Sequence, residues 1–174
     1  MECVMSKNKK IDNKQDETEV INDNIKTQIP ATMESIFGSI SWLMLHSPAH
    51  RHMFISDYEW LVMPALQSKQ FRVIRQGNTP IAYISWAYLD EETEERVKKG
   101  MIKLKPTEWT QGDRLWIIDV IAPFGGSKQL LQKLNETEFK GKKANVLRPT
   151  KDGKGLEGIL LNDLLKEGGD KEDK

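Results

Sequence analysis

The sequence has almost no cysteine and no long apolar run. Its single cysteine, Cys3, lies near a polar end of the chain, so a disulfide within the chain is excluded and a thiolate nucleophile or thiolate metal site is disfavoured. No apolar run approaches the roughly 20 residues that a membrane-spanning helix needs. The first thirty residues also lack the apolar core of a secretory signal. We therefore expect a protein of a reducing compartment without a transmembrane segment.

The sequence also has no excess of charge of either sign. Its 26 basic residues balance 26 acidic residues, which disfavours nucleic acid as a partner. Its 174 residues, of which 38% are hydrophobic, are enough for one domain with a sizeable core.

Composition divides the chain into three parts. Residues 1–30 are rich in charged and amide side chains and contain no aromatic residue. Such a segment buries too little apolar surface to offset its ordering entropy, so we predict a disordered tail. Residues 168–174 have the same character. The folded domain is therefore predicted to cover residues 31–167.

Hydrophobic spacing predicts a single mixed α/β domain. Two strand-like runs flank a Gly-Asn turn, which is typical of an antiparallel hairpin, and we expect helices to cover the sheet. An N-acyltransferase with acetyltransferase-like (GNAT-like) topology has the same order of elements, although topology alone is weak evidence for function. The predicted elements are helices at 32–45, 56–66 (with a kink at Pro64), 90–99, a helix capped by Ser127, and 158–166, and strands at 71–75, 81–87, 114–121 and 144–147.

Asp119 is the one carboxylate in the apolar run from Trp116 to Ile121. Regular alternation along a strand predicts that Asp119 faces the same side as Ile117 and Ile121. Burying a carboxylate costs free energy unless a donor or a cation satisfies it. Two interpretations remain open: a carboxylate that points off the end of the sheet into water, or one half of a catalytic pair.

A partner for Asp119 is available in His50. Pro48 places this histidine on a turn, where one ring nitrogen could bond the carboxylate and leave the other free for chemistry. His46 and His52 lie close by in sequence and raise the alternative of a metal site. The three rings need not share a face because Pro48 interrupts the segment, so we predict no metal.

Several segments of the sequence resemble the RTX toxin-activating lysine acyltransferases. They follow the order of that family over roughly residues 36–126, and the last of them is the most specific. These segments are Ser41-Trp42-Leu43, Ser47-Pro48-Ala49-His50-Arg51, Pro64-Ala65, the run from Pro80 to Ala87, and the run from Glu108 to Gly125 that includes Gly112-Asp113-Arg114 and Asp119.

The resemblance implies an acetyltransferase-like enzyme of the bacterial cytoplasm. Enzymes of this family transfer a fatty acyl chain from acyl-acyl carrier protein, used as a substrate rather than held as a cofactor, to internal lysines of an RTX protoxin. The essential histidine and aspartate of the family match His50 and Asp119, and a supporting serine matches Ser47. The resemblance also implies a homodimer.

The resemblance leaves the mechanism and two other functions open. His50 would act either as a general base oriented by Asp119 or as a transient acyl carrier. Val120 and Ile84 depart from the family pattern, and similarity is low after about residue 128. An acyl-coenzyme A-dependent N-acetyltransferase is one alternative, although its pyrophosphate loop is not found in the sequence. A non-catalytic protein that escorts the toxin is the other.

Overall fold

A computed structural model describes residues 32–150 and 155–167. The predicted tails at 1–30 and 168–174, together with Cys3, lie outside these residues. The described chain forms a mixed α/β domain, as predicted. Its elements are α1 (Met33–His46), α2 (Tyr58–Leu61), α3 (Met63–Ser68), β1 (Phe71–Gln76), β2 (Thr79–Leu89), α4 (Glu91–Lys98), β3 (Arg114–Ile121), α5 (Ser127–Glu136), β4 (Ala144–Pro149), β5 (Leu156–Leu160) and α6 (Leu161–Glu167), with 3₁₀ turns at Ile55–Asp57 and Pro106–Trp109.

The strands form one five-stranded sheet in the order β1-β2-β3-β4-β5. The predicted hairpin of β1 and β2 is confirmed, with Gln76 paired to Thr79 across the turn. Gly77 has a φ of 59° there, a backbone conformation that glycine adopts without a steric penalty. Strand β3 is the central strand, since two strands lie on each side of it.

Strands β3 and β4 are the parallel pair of the sheet, and α5 lies in the connection between them. Their pairing joins Leu115–Ile117 to Ala144–Val146. Beyond Ile117, among the described residues, β3 pairs only with β2. The carboxyl-terminal half of β3 therefore borders an opening between two parallel strands, which in open α/β sheets is a common place for a ligand.

The core lies on both faces of the sheet. On one face, which we call the α1 face, Ile40 and Leu43 of α1 pack with Tyr58, Tyr83 and Ile121. On the opposite face, the α5 face, Leu130 and Leu131 of α5 pack against Ile84, Ile117 and Leu161. Each face of β3 is thus covered by helices, which explains why its sequence is apolar on both sides.

The first helices are close to their predicted bounds. Thr32 caps α1, since its hydroxyl accepts a hydrogen bond from the Ser35 amide at 3.2 Å. The single kinked helix predicted around Pro64 is instead two short helices, with Pro64 in the first turn of α3, where its missing N–H costs nothing. Ser127 does not cap α5; Gly126 precedes the helix and Ser127 is its first residue.

The prediction of a helix over 158–166 is wrong at its start. Residues 156–160 form β5, paired antiparallel to β4, and the helix begins only at Leu161. The absence of a side chain at Gly158 makes room for the Trp116 indole, because a Cβ at this position would lie 2.7 Å from the ring. A glycine that admits a close neighbour is typical of a strand, but this neighbour is distant in sequence.

Candidate active site

The turn after α1 places two polar side chains next to each other. The amides of His50 and Arg51 donate to the Ser47 carbonyl at 3.1 and 2.9 Å. Pro48 favours such a turn because its φ is fixed and it has no N–H to satisfy. The Ser47 Oγ consequently lies 2.7 Å from His50 Nδ1.

The structure brings His50 and Asp119 together. His50 Nε2 lies 3.0 Å from Asp119 Oδ1, and their side chains are only 15% and 11% exposed. The two residues come from different parts of the fold, the turn after α1 and the carboxyl-terminal half of β3. Ser47, His50 and Asp119 thus form one hydrogen-bonded chain.

Asp119 lies on the same face of the sheet as Ile121, as alternation predicts, but not on the same face as Ile117. The register of β2 and β3 pairs Ser85 with Asp119 but Trp86 with Ile117, so Ile118 is an extra residue in β3. This β-bulge breaks the alternation. Ile117 packs on the α5 face, whereas Asp119 lies on the α1 face and bonds His50. Bulges often re-aim a side chain beside a functional site.

The expectation of a free ring nitrogen on His50 is not met. An ionised Asp119 only accepts hydrogen bonds, so Nε2 carries a proton and donates to it. In the neutral ring, Nδ1 then accepts from the Ser47 hydroxyl; in the imidazolium, Nδ1 donates to the Ser47 Oγ. Both ring nitrogens are therefore satisfied in either protonation state.

The electrostatic environment favours the charged form of His50. The hydrogen bond to Asp119 raises the pKa of the imidazole most, burial lowers it, and the negative charge of Asp119 raises it further. The net result is a pKa above the ordinary histidine value of 6.5. The raised pKa makes the His50 imidazole a stronger base than an ordinary histidine.

A pocket of about 280 Å³ opens on His50. Its wall is mostly apolar, with a few polar groups near the histidine. It is lined by Met44, Leu45, Met53 and Ile55, and by Ser41, Arg51, Tyr58 and His50. A pocket of this character suits an apolar chain whose reactive end carries polar atoms.

The other histidines lie outside this arrangement. His46 is exposed at the end of α1, where its ring lies 4.3 Å from the Trp42 ring and 5.5 Å from the Phe124 ring, measured between centroids. His52 is exposed as well. Within residues 32–150 and 155–167, no group of three His, Cys, Asp or Glu side chains is arranged to hold a metal ion.

Two further residues near Asp119 were not singled out from the sequence. Tyr83 and Ser85 of β2 are fully buried on the same side as Asp119. Their spacing of two in an otherwise apolar strand was a usable signal, because it puts two hydroxyl groups on one face. Trp86 and Trp116 are buried core residues.

The helices that the structure describes are too short and too polar to cross a lipid bilayer.

Comparison with known proteins identifies the family of this chain. A leukotoxin-activating lysine-acyltransferase of Pasteurella haemolytica-like sp. (strain 5943B) is 41% identical over 102 residues, which are 59% of this chain and 62% of that protein. An RTX-II toxin-activating lysine-acyltransferase of Actinobacillus pleuropneumoniae is 41% identical over 59% of this chain and 64% of its own length. A protein-lysine myristoyltransferase of Escherichia coli is 39% identical over 58% of each chain.

The chain thus spans about three fifths of the length of these curated relatives. The sequence profile of the RTX toxin acyltransferase family matches residues 29–160, a segment that includes the turn after α1 and the whole of β3. Because this match covers well over half of the sequence, the chain belongs to the RTX toxin acyltransferase family.

Proposed function

We propose that this chain is a protein-lysine acyltransferase that moves a fatty acyl group from acyl-acyl carrier protein to internal lysines of an RTX protoxin. The names of the relatives support the reaction class, since they are lysine acyltransferases that activate leukotoxin or RTX toxin, or myristoyltransferases. The acyl carrier protein is a substrate in this proposal, and the enzyme needs no resident cofactor. It would act in the bacterial cytoplasm before the toxin is exported.

One observation carries the proposal: a histidine that is bonded to a largely buried carboxylate and lines a mostly apolar pocket. His50 and Asp119 provide the acid–base group, and the pocket beside His50 provides apolar surface for an acyl chain. Among the described residues, the pairing of β3 with β4 ends at Ile117, so the two strands part near the end of β3 that carries Asp119. This parting also agrees with the acetyltransferase-like fold, which we retain as part of the proposal.

The chemistry requires a neutral amine. Free lysine has a pKa of about 10.4, so its amine is almost fully protonated at neutral pH. In the proposed step the lysine Nζ attacks the thioester carbonyl of the donor, the C–N bond forms and the C–S bond breaks. His50 takes the proton that the amine loses and returns a proton to the departing thiolate. Asp119 stabilises the imidazolium that exists between these two transfers.

Ser47 determines how the proton reaches His50. Its hydroxyl bonds Nδ1, the ring nitrogen that does not face Asp119. The lysine proton therefore passes to Nδ1 through the Ser47 Oγ, which gives up its own proton, or reaches Nδ1 directly after the serine side chain rotates away. Ser47 supports the histidine in both cases.

His50 could instead carry the acyl group. In that scheme Nδ1 attacks the thioester, an acyl-histidine forms as the thiol leaves, and the lysine amine then takes the acyl group. The two schemes use the same atoms. Rapid quenching of a reaction that lacks the toxin separates them, because only the second scheme leaves the acyl group on the enzyme.

The test combines the purified protein, an acyl carrier protein charged with a fatty acid, and a candidate RTX protoxin. The mass of each toxin lysine is then measured. We expect acylation by the wild type and a loss of at least about 100-fold in rate for His50→Ala, in line with the contribution of general acid–base catalysis. Asp119→Ala should lose activity as well.

A matched control lies on the same turn. His52→Ala removes an exposed histidine two residues away and should leave the rate unchanged.

Equal acylation by His50→Ala and the wild type would refute the catalytic pair. Acylation supported only by acyl-coenzyme A would identify an N-acetyltransferase-like enzyme instead. Toxin activation that persists in both His50→Ala and Asp119→Ala without any change in lysine mass would identify an escort protein. Size-exclusion chromatography with light scattering tests the homodimer that we propose.

A further inference from the structure

Three buried polar atoms without a hydrogen-bond partner meet beside the candidate active site. Among the described residues, the Tyr83 hydroxyl, the Ser85 Oγ and the Asp119 Oδ2 are all buried and lack a hydrogen bond of acceptable geometry. Buried polar atoms are nearly always hydrogen-bonded in folded proteins, so each exception calls for an explanation. Here three of them come from neighbouring positions in the sheet.

The register of the sheet places these atoms on one face. Ser85 of β2 is the direct Cα partner of Asp119 of β3, and Tyr83 lies two residues before Ser85. Side chains of direct cross-strand partners have Cβ atoms about 4.5–5.5 Å apart. The bulge at Ile118 turns Asp119 onto this face, so the carboxylate and the two hydroxyls are brought together by the same irregularity.

The three groups are chemically complementary. An ionised carboxylate only accepts hydrogen bonds, whereas each hydroxyl donates one and rotates freely to do so. Burial raises the pKa of the Tyr83 hydroxyl, and the Asp119 charge raises it further, while Ser85 lowers it by a smaller amount than burial raises it. Tyr83 therefore keeps its proton and remains a donor at neutral pH.

The full burial of Tyr83 and Ser85 excludes direct contact with a substrate. Tyr83 and Ser85 are both 0% exposed, so neither reaches a substrate in the pocket or in the opening beside β3. They act only through Asp119. One carboxylate oxygen of Asp119 bonds His50, and the other is buried without a donor, on the residue that pairs directly with Ser85.

We propose that Ser85 and Tyr83 are positioning residues, in which Ser85 donates to the second oxygen of Asp119 and Tyr83 donates to Ser85, so that the first oxygen stays directed at His50. This inference rests on the proposed function, because it gives the His50–Asp119 pair its importance. Without the two hydroxyls, the second oxygen would be buried and unsatisfied, and the carboxylate would turn away from the imidazole.

The test uses variants that remove only an oxygen atom. Tyr83→Phe, Ser85→Ala and the double variant are compared with the wild type by NMR titration of the histidine rings, with His46 and His52 as internal references. The hydrogen bond to Asp119 is the main cause that raises the pKa of His50. We therefore expect the titration midpoint of His50 to fall in each variant, and most in the double variant.

The rate of acyl transfer is the second readout. Misplacing a catalytic group by about 1 Å can cost on the order of 100-fold in rate, so we expect at least about a tenfold loss in kcat for Ser85→Ala. Ser85→Thr keeps the hydroxyl and should restore part of the rate and of the titration midpoint. Tyr88→Phe is the matched control on the same strand: its hydroxyl accepts from Lys142 Nζ at 2.8 Å, away from Asp119.

The titration of His50 tests whether the two hydroxyls position Asp119 even if a variant loses stability. The polar groups that bond His50 or share its pocket belong to Asp119, Ser47, Ser41, Arg51 and Tyr58, and none of them is changed. A His50 midpoint that stays the same or rises in all three variants overturns the proposal, whatever the rate does. If the wild type transfers no acyl group, the proposed function is wrong, but the titration still tests whether the hydroxyls hold Asp119.

Discussion

Replacing Asp119 by asparagine should make the stability of the protein depend on pH in a specific way. The substitution keeps the shape of the side chain and removes its charge. In the wild type the pKa of His50 lies above its ordinary value, chiefly because of the hydrogen bond to Asp119. In Asp119→Asn the remaining cause is burial, which lowers the pKa of His50.

The direction in which stability changes with pH follows from the linkage between protonation and folding. A histidine whose folded-state pKa is raised contributes stability that is fully present below its unfolded pKa of about 6.5 and is lost as pH rises through the folded pKa. The wild type therefore gains this contribution at low pH. In the Asp119→Asn variant, His50 instead lowers the stability of the folded protein at low pH, because a buried histidine without an anion resists protonation. The difference in unfolding free energy between the two proteins must grow as pH falls from 8.5 to 5.5.

The structure sets the size of the effect. Both side chains are largely buried, so solvent screens their interaction only weakly. A hydrogen bond to a charged group contributes about 1.5–3 kcal/mol, which is the difference we expect near pH 5.5. Urea unfolding followed by tryptophan fluorescence at several pH values measures it.

A double-mutant cycle isolates the His50–Asp119 interaction. In the His50→Gln background, Asp119→Asn should have an effect on stability that no longer changes between pH 5.5 and 8.5. A difference between wild type and Asp119→Asn that is independent of pH, or that grows as pH rises, would refute the reasoning. Persistence of the pH dependence in the His50→Gln background would assign it to another group.

Three further predictions concern the scaffold around the site and use the same unfolding measurement. Gly112→Ala should destabilise the domain by about 1–3 kcal/mol or more, because its Cβ would lie 2.1 Å from the main-chain carbonyl oxygen at the end of β2; a neutral effect would mean that the loop can move. Glu108→Gln should destabilise by about 1–3 kcal/mol, since Glu108 accepts from both Arg96 nitrogens at 2.8 and 3.1 Å. Because the Arg96 hydrogen bond lowers the pKa of Glu108, that loss should shrink as pH falls through the folded-state pKa, and a constant loss would argue against the ion pair. Trp116→Phe leaves the Glu94 carboxylate without its indole donor at 2.9 Å and should cost about 1–3 kcal/mol, whereas wild-type stability would show that this bond is dispensable.

Local features of the fold were predictable because they depend on residues close in sequence. The Gly77 turn determines the β1–β2 hairpin, and the threonine at position 32 marks the start of α1. Ser47 and His50 are adjacent because Pro48 favours the turn that joins them. Each of these depends on a few backbone torsions and one or two local hydrogen bonds, which the sequence encodes directly.

Long-range features were predicted less well. Strand β5 was missed because its glycine is explained only by the Trp116 ring that lies over it. The prediction that Asp119 shares a face with Ile117 is wrong, because alternation assumes an unbroken pairing and the single extra residue between them reverses it. The roles proposed for Tyr83 and Ser85 depend on the same pairing between strands, although their spacing of two in β2 was a local signal.

The sequence by itself determined that a histidine would stand on a turn and that a carboxylate would lie in an apolar strand. These are properties of short segments, set by proline, by turn geometry and by composition. Only the tertiary structure decided that the two meet, with Nε2 and Oδ1 3.0 Å apart, and that Ser47 occupies the other nitrogen. The physical reason is that the pairing depends on the β2–β3 register and its bulge, and these arise from contacts between strands rather than from any one segment.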